Sequence, residues 1–261
     1  MSETRARVCV DGHGEVRIND HPVFNGSTAA LLAEIETLVA SGRPALVVPM
    51  NVDQILDLER LESTRRVYAA ADMILMDGAP VVTLARLLGA TRGHRHTGAD
   101  LLPLVAAESA ERGWRVAILG GGPGVAELAA ARLAASHPGS VVRAFDFPFV
   151  TDVTDSALTS VKDELAAFEP AVVFICLGAP KQELWYLGWR DVLPPAVYVA
   201  AGAAVDFAAG TVARAPRWMQ RLGAEWLWRL AQEPRRLARR YLLKGPRFVG
   251  VIARSLAHRD R

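Results

Sequence analysis

The sequence predicts an α/β fold in which helices cover both faces of a parallel sheet and a basic helical segment follows at the C-terminus. Apolar runs typical of buried strands alternate five or more times with helical patterns, and the turns between them are short and contain glycine. This alternation is typical of parallel sheets, because a crossover helix must return the chain to the same end of the sheet. With 261 residues, 51% of them apolar, the chain can form one large domain or two small ones.

The elements can be assigned in chain order from periodicity and turn residues. Residues 8–24 alternate loosely and contain Asp11-Gly12 and Asn19-Asp20, which predict a hairpin or edge strands. Beyond them, short apolar runs predict strands, and three- to four-residue periodicity between capping residues predicts helices. The predicted strands are residues 45–48, 71–76, 115–119, 141–145, 171–177 and 197–201. The predicted helices are residues 28–40, 56–71, 81–88, 100–112, 125–136 and 155–168, with one more beginning at Lys181.

Polar residues follow three of these predicted strands. Asn51 and Asp77 come after the first two, and the cluster Lys181-Gln182-Glu183 comes shortly after the fifth. Ligands of open parallel sheets bind outside the carboxyl ends of the strands, so these groups would face one ligand, with Gln182 as the contact and its two neighbours capping and solvating the helix. The alternative is that Asn51 and Asp77 only form turns and that the cluster is a solvated helix start.

A glycine-rich loop, Gly120 to Gly124, joins a predicted strand to a predicted helix. Glycines let the backbone approach a ligand closely, and the N-terminus of the following helix favours an anion such as phosphate. The spacing departs from the dinucleotide pattern G-x-G-x-x-G, but Asp146 lies where a ribose-binding acid would be expected. Two interpretations of this loop therefore remain: a tight structural turn, or the nucleotide-binding loop of an NAD-dependent oxidoreductase.

The basic loop of residues 91–98 holds a candidate anion clamp. Arg95 suits a phosphate or carboxylate, because a guanidinium offers paired donors. His94 and His96 could ligate a metal, but no cysteine or third histidine lies near enough in sequence to complete the set. The sequence therefore favours anion binding over a metal site in this loop.

Charge is distributed unevenly along the chain. The C-terminal tail, residues 214–261, carries thirteen Lys or Arg and three acidic residues, a net charge of +10, whereas the preceding residues carry seventeen and twenty-five, a net charge of −8. This asymmetry indicates an anionic partner for the tail, either a membrane surface or nucleic acid.

The tail also carries tryptophans on helical patterns. Met219, Leu222, Trp226 and Leu230 recur every three or four residues, and residues 235–243 alternate arginine pairs with apolar side chains. Basic amphipathic helices that bear Trp bind the headgroup region of anionic membranes, while helices packed on the sheet with a basic outer face are the alternative. Nucleic acid is disfavoured, because no helix-turn-helix, zinc-finger or RNP-like pattern accompanies the charge.

The remaining global features predict a cytoplasmic protein. The N-terminus has acids and glycines where a signal peptide needs an apolar core, and no run of eighteen apolar residues occurs. The two cysteines, Cys9 and Cys176, do not suggest a disulfide framework, which fits a reducing compartment. Any membrane contact would therefore be made from the surface.

Taken together, these motifs resemble the WecG/TagA/CpsF glycosyltransferase family over residues 45–248. The similar segments are Asn51, MDGAPVV from Met76, RHTGADLLP from Arg95, ILGGGPGVAELAA from Ile118, CLGAPKQELW from Cys176, AGAAVDFAAG from Ala201 and the basic stretch from Arg214 to Leu242. The resemblance implies a Rossmann-like catalytic core, residues 1–213, and a basic amphipathic membrane-associating appendage, residues 214–261, that helps complete the site.

The resemblance also implies a reaction and its partners. The family inverts the anomeric centre while transferring a sugar from a UDP-sugar to a polyprenyl-diphosphate-linked saccharide, in cell-surface polysaccharide synthesis at the inner face of the cell membrane. In well-known members the donor is UDP-N-acetylmannosamine or its uronic acid, and the acceptor is undecaprenyl diphosphate bearing N-acetylglucosamine. A homo-oligomer is compatible with the sequence.

Roles follow from the resemblance for individual residues. Asp77 would be the base that deprotonates the acceptor hydroxyl, with Asn51 as a second catalytic residue. Arg95 would hold a phosphate, Thr97 in the same motif would contact substrate, and Gln182 would hold the donor sugar or nucleotide. The remaining implied substrate contacts are Gly122 and Gly124 near the nucleotide and Arg214, Arg217 and Arg221 on the diphosphates. The sequence lacks an Asp-x-Asp motif for a divalent ion on UDP, so we expect no metal and no cofactor.

Two departures from the family pattern concern the donor. Pro49 stands where members commonly carry Thr, which removes a hydroxyl and an N–H donor. Phe147-Pro148-Phe149 stands where Gly-Tyr often follows the strand. The donor could therefore be a hexose or a uronic acid instead of N-acetylmannosamine. The alternative to an enzyme is a non-catalytic basic adaptor that binds membrane or nucleic acid through its tail.

Overall fold

The computed structural model describes residues 5–148, 155–221, 223–232 and 234–259, and it confirms the α/β fold class. A small antiparallel sheet comes first, as predicted for residues 8–24: β1 (Val8–Val10), β2 (Val16–Ile18) and β3 (His21–Val23). The main sheet has six strands: β4 (Ala45–Met50), β5 (Met73–Met76), β6 (Arg115–Gly120), β7 (Val141–Phe145), β8 (Val172–Cys176) and β9 (Val197–Ala200). Their order across the sheet is β5-β4-β9-β8-β6-β7, and every neighbouring pair is parallel.

Helices cover both faces of the main sheet. Its inner strands are apolar apart from Arg115 at the start of β6, because a strand covered on both faces has few solvent-facing side chains. All five residues of β8 are buried. One buried cluster holds residues of α1 (Thr28–Ala40), α5 (Gly98–Arg112), α6 (Val125–Ser136) and α9 (Ala204–Ala209). The other holds residues of α2 (Val52–Arg60), α3 (Glu62–Ala70), α4 (Ala79–Leu87), α7 (Thr159–Phe168) and α8 (Lys181–Trp189), together with parts of the tail.

The single helix predicted over residues 56–71 is wrong, because the chain forms two helices there. Leu61 is extended, with φ −115° and ψ 116°, and it separates α2 from α3. The end of α2 is nevertheless satisfied, since the Arg65 guanidinium donates to the carbonyl oxygen of Leu58 across 2.8 Å. The break turns Val67 and Tyr68 of α3 into the core.

The tail is helical, in α10 (Arg217–Arg221), α11 (Glu225–Gln232) and α12 (Pro234–Arg259). The second predicted helix ended at residue 243, but α12 continues through Gly245 and Pro246. It continues because its later turns are packed: Phe248 and Val251 are buried, and the Ser255 hydroxyl accepts a 2.9 Å hydrogen bond from the backbone N–H of Val8. Within the described ranges, no helix is both long and apolar enough to cross a bilayer.

Candidate active site

A cleft of about 1430 Å³ lies where the six parallel strands end. The residue that directly follows each strand lines it: Asn51, Asp77, Gly121, Asp146, Leu177 and Ala201. Small-molecule pockets usually enclose roughly 300–1,000 Å³, so this cleft has room for two substrates side by side. Seven of the ten candidate site residues line it, which agrees with the predicted convergence at one edge of the sheet: Asn51, Asp77, Arg95, Thr97, Gly122, Gly124 and Gln182.

Asn51 and Asp77 are neighbours because β4 and β5 pair in parallel register, with Met50 opposite Met76. The backbone N–H of Asp77 donates to the carbonyl oxygen of Met50 across 2.9 Å. The Asn51 Oδ1 accepts a 2.9 Å hydrogen bond from the backbone N–H of Asp53 and so caps α2. Asn51 therefore has a structural function in addition to its position on the cleft wall.

Pro49, the departure from the family pattern, lines the cleft next to this pair. Pairing of β4 with β9 ends at Val47, opposite Val199, whereas pairing with β5 continues to Met50. Proline lacks a ladder donor, and it stands here where β4 and β9 have already separated. The sheet therefore accepts it without losing the register that places Asp77.

The Asp77 carboxyl is the group whose environment is most suited to catalysis. Burial raises the pKa of Asp77 to about 6, opposed by the positive charge of Arg95 and supported by the negative charges of Glu225 and Asp100. An aspartate with such a pKa is a stronger base than an ordinary one and is still largely ionised at neutral pH. This environment, on the wall of the cleft, suits proton abstraction from a substrate hydroxyl.

Arg95 belongs to a cluster of four charges that joins the core to the tail. Its Nη1 lies 3.0 Å from Glu225 Oε2 and its Nη2 lies 3.9 Å from Asp100 Oδ2. Arg214 faces the same two acids, with Nη2 2.8 Å from Asp100 Oδ1 and Nε 3.6 Å from Glu225 Oε1. Both guanidiniums are thus held beside the cleft by carboxylates, which a bound phosphate would have to replace.

Thr97 has a clear structural function at the start of α5. Its hydroxyl oxygen accepts from the backbone N–H of Asp100 across 3.1 Å, and the hydroxyl donates to Asp100 Oδ2 across 2.7 Å. The next residue, Gly98, lies so close to the loop after β9 that a Cβ would come within 2.9 Å of the backbone of Ala201. The motif around Thr97 therefore fixes how two loops of the cleft meet.

The glycine-rich loop lies on the cleft wall where β6 leads into α6. A Cβ at Gly120, where φ is +86°, would lie 2.5 Å from Leu177 Cδ2. Gly124 is left-handed, with φ +72°, and caps the N-terminus of α6. The side-chain space at Gly122 and Gly124 is open or nearly so, hence these two positions can admit an anion at the helix N-terminus.

Gln182 and Glu183 are both buried on the cleft floor. The Gln182 amide donates from Nε2 to Glu183 Oε1 across 2.9 Å, and its Oε1 accepts from the backbone N–H of Gly202 across 2.9 Å. Gln182 therefore fastens the loop after β9 to α8. The expectation that Glu183 is solvated is wrong, because α8 begins inside the cleft rather than at the surface.

The tail closes one side of the cleft near Asp77. A Cβ at Gly223, between α10 and α11, would lie 2.8 Å from the Cβ of Ala79, and Glu225 and Arg229 line the cleft. Arg214 lies behind Arg95 rather than on the cleft wall, stacked 5.3 Å above the ring of Phe207. The side chains of the two other predicted tail contacts, Arg217 and Arg221, lie outside the described residues.

The histidines of the basic loop have structural partners. His96 Nε2 lies 2.8 Å from the carbonyl oxygen of Gly26, and burial lowers the pKa of His96, which keeps the ring neutral. Among the described residues, no group of three or more His, Cys, Asp or Glu side chains is placed to hold a metal ion. Metal independence of the reaction stays a prediction.

Four residues of the site were missed by the sequence reasoning. Glu225 and Asp100 pair with both arginines, and Tyr68 and Lys244 line the cleft from α3 and α12. Asp100 and Glu225 lie within the motifs RHTGADLLP and RAPRWMQRLGAEW, next to residues that were singled out. No sequence motif marks Tyr68, because it lies in a helix that could be recognised only as amphipathic.

The charge cluster has a consequence for the pH dependence of activity. Glu225→Gln is expected to shift the acidic limb of the kcat/KM profile to lower pH, because the Glu225 charge raises the pKa of Asp77. Arg95→Gln is expected to shift it to higher pH, because the Arg95 charge lowers that pKa. Initial rates over a pH series for both variants measure the shifts, and shifts in the same direction would contradict this electrostatic coupling.

Comparison with known proteins agrees with this cleft. The family model for the glycosyl transferase WecG/TagA/CpsF family matches residues 16–261. One relative, the N-acetylglucosaminyldiphosphoundecaprenol N-acetyl-beta-D-mannosaminyltransferase of Bacillus spizizenii, is 29% identical over 238 residues, which cover 90% of this chain and 89% of that protein. Neither comparison supports the oxidoreductase alternative. Because the family match extends over the strand ends that form the cleft and over the tail that closes it, the chain belongs to the WecG/TagA/CpsF family of glycosyltransferases.

Proposed function

We propose that this glycosyltransferase moves N-acetylmannosamine, or its uronic acid, from a UDP-sugar to a saccharide linked to polyprenyl diphosphate, in cell-surface polysaccharide synthesis. The activity for which the Bacillus spizizenii relative is named supports the sugar and the acceptor class. The observation that carries the proposal for this chain is Asp77, a carboxyl with a pKa of about 6 in a cleft large enough for two substrates.

The proposed reaction inverts the anomeric centre. UDP-sugars of this kind carry the sugar in α linkage, and the relative is named for a β-linked product. A single inverting displacement needs one base on the acceptor hydroxyl and a stabilised leaving group on the opposite side of the sugar. Asp77 is the candidate base, with Asn51 beside it on the cleft wall.

The leaving UDP needs positive charge and donors to stabilise it. Arg95 lines the cleft and Arg214 supports it from behind, so a diphosphate that replaces Glu225 on Arg95 would face both guanidiniums. The N-terminus of α6 after Gly124 offers backbone N–H groups on the opposite wall. These groups would provide electrostatic stabilisation without a metal ion or a cofactor.

The lipid-linked acceptor would reach the cleft at the membrane surface. The tail combines a net charge of +10 with exposed apolar side chains, Trp218 at 62% exposed, Trp226 at 44% and Leu227 at 46%. Each basic residue near an anionic surface contributes about 1 kcal/mol of attraction, and exposed Trp side chains favour the headgroup region. Peripheral association through this tail would therefore bring the acceptor diphosphate to the side of the cleft that the tail closes.

Ligand-induced stabilisation across a panel of UDP-sugars tests the donor. We expect UDP-N-acetylmannosamine or its uronic acid to raise the unfolding temperature more than UDP-glucose does, with the same shift in the presence of EDTA, since a bound ligand stabilises by mass action. NAD(H) is the contrast ligand. Stabilisation by NAD(H) and by none of the UDP-sugars would contradict the proposal, and loss of the shift in EDTA would contradict its metal independence.

A further inference from the structure

Within the described residues, three cleft-lining side chains carry a buried polar atom without a hydrogen-bond partner: Tyr68, Glu183 and Arg229, of which the first two lie on the packed helices α3 and α8. The Tyr68 hydroxyl in α3 and the Glu183 Oε2 in α8 have no hydrogen-bond partner within the described part of the chain. Both residues line the cleft, and they are only 2% and 4% exposed. A buried polar atom without a partner costs about 1–3 kcal/mol, so a pair of them in a cleft indicates groups that a ligand satisfies.

The Glu183 carboxyl is held in place by its other oxygen. Oε1 accepts the 2.9 Å hydrogen bond from Gln182 Nε2, and Gln182 in turn is fixed by the backbone N–H of Gly202. The side chain is therefore oriented by the protein, and Oε2 is the atom left to accept from a ligand. The hydrogen bond to Gln182 accounts for Oε1 but leaves Oε2 unexplained by the fold.

Tyr68 lies on α3, which packs against α8, and it lines the same cleft as Glu183, where its hydroxyl can act as a hydrogen-bond donor. Burial and then the nearby charges of Glu183, Asp77 and Asp57 raise the pKa of Tyr68 well above its ordinary value, so its hydroxyl keeps its proton. Asp77, the proposed base, lines the same cleft. A ligand group bound by Tyr68 and Glu183 would thus lie in the cleft that holds the proposed base.

We propose that Tyr68 and Glu183 form a sugar-binding recess, in which the tyrosine hydroxyl donates to and the carboxylate oxygen accepts from the hydroxyl or acetamido groups of one pyranose ring. This inference rests on the proposed function, because it assigns a sugar to the same cleft. Neighbouring groups on a pyranose offer both a donor and an acceptor, which is the complement of this pair. Either the donor sugar or the first sugar of the acceptor supplies that chemistry.

Tyr68→Phe tests the recess, because it removes only the unpaired hydroxyl. We expect the unfolding temperature to stay the same or rise, since an unsatisfied buried group is deleted. We expect the KM for one of the two sugar substrates to rise about five- to thirtyfold, while the affinity for UDP alone stays unchanged. Glu183→Gln, which keeps the size of the side chain, is expected to raise the same KM.

Tyr198→Phe is the matched control. The Tyr198 hydroxyl is also in the core, but it donates to the carbonyl oxygen of Pro194 across 2.9 Å, and the residue does not line the cleft. This variant should therefore lose stability and keep the wild-type KM for both substrates. The two tyrosine variants thus give opposite signatures for a functional and a structural hydroxyl.

The outcomes separate the two sources of sugar and the two hypotheses. A weaker affinity for the UDP-sugar with unchanged UDP affinity assigns the recess to the donor, and a raised acceptor KM alone assigns it to the acceptor. Wild-type KM values for both substrates in Tyr68→Phe and Glu183→Gln overturn the recess. A loss of affinity for UDP alone that equals the loss for the UDP-sugar overturns it as well. Failure of the wild-type protein to bind any UDP-sugar would instead contradict the proposed function.

Discussion

Asp77→Asn is expected to lower kcat by about 10²- to 10⁴-fold, because a positioned general base contributes that much to proton transfer. In the wild-type protein, kcat/KM is expected to rise with pH through about 6, where burial places the pKa of Asp77. The rise has this direction because the base must lose its proton before it can accept one from the acceptor. A coupled assay of UDP release, carried out over a pH series, measures the lower kcat of the variant and the pH dependence of kcat/KM in the wild-type protein.

The same variant is expected to keep or gain stability, which separates a catalytic function from a structural one. The pKa of Asp77 in the folded protein, about 6, lies above its ordinary value of 3.8, so the folded state binds this proton more tightly than the unfolded state does. The ionised carboxyl therefore destabilises the fold above pH 6, by at most about 3 kcal/mol, and this penalty disappears as the pH falls below the ordinary value. Full turnover in Asp77→Asn, or its unfolding at neutral pH, would contradict the assignment.

Phe248→Ala is expected to lower the free energy of unfolding by about 3 kcal/mol, although the residue lies in the basic tail. Phe248 is 5% exposed and packs with Val251 in the same buried cluster as α2 and α8. Denaturant unfolding measures the change as a lower midpoint at an unchanged slope. The later part of α12 thereby stabilises the core, whatever the tail binds.

Val249→Ala is the control for this prediction, because Val249 is the next residue in α12 and is 62% exposed. Its free energy of unfolding should change by less than about 0.5 kcal/mol. Equal effects of the two substitutions would mean that α12 does not pack on the core. The division into a core at residues 1–213 and an appendage at residues 214–261 stays a prediction, and point substitutions test it better than deletion of the tail.

The alternation of strands and helices predicted the sheet well, because each buried strand is a short apolar run that ends at a polar residue or a glycine. Asn51 and Asp77 could be placed together from this pattern alone, since adjacent parallel strands end at the same edge. The break at Leu61 could not be predicted, because amphipathic periodicity continues across it. The length of α12 was also missed, because Gly245 and Pro246 suggest an end that tertiary packing overrides.

The chemistry of the site divides in the same way. Arg95 and the glycine-rich loop could be singled out as cleft residues, because a guanidinium and glycines before a helix both suit an anion. The ion pair between Arg95 and Glu225 could not be predicted from the sequence, because 130 residues separate the two partners and only the fold brings them together. Glu183 was placed on the surface because carboxylates usually are, and only the structure reveals that α8 starts inside the cleft.

The anomeric configuration of the reaction product shows whether Asp77 acts as the base of a single inverting displacement. The purified protein would be incubated with UDP-N-acetylmannosamine and a polyprenyl diphosphate bearing N-acetylglucosamine, and the lipid product would be examined by mass spectrometry and by the one-bond carbon–proton coupling at the new anomeric carbon. We expect release of UDP and an acceptor enlarged by one N-acetylhexosamine in β linkage, with a yield from Asp77→Asn that is lower by about 10²-fold or more over the same time. An α-linked product, or a wild-type yield from Asp77→Asn, would contradict a single inverting displacement with Asp77 as the base.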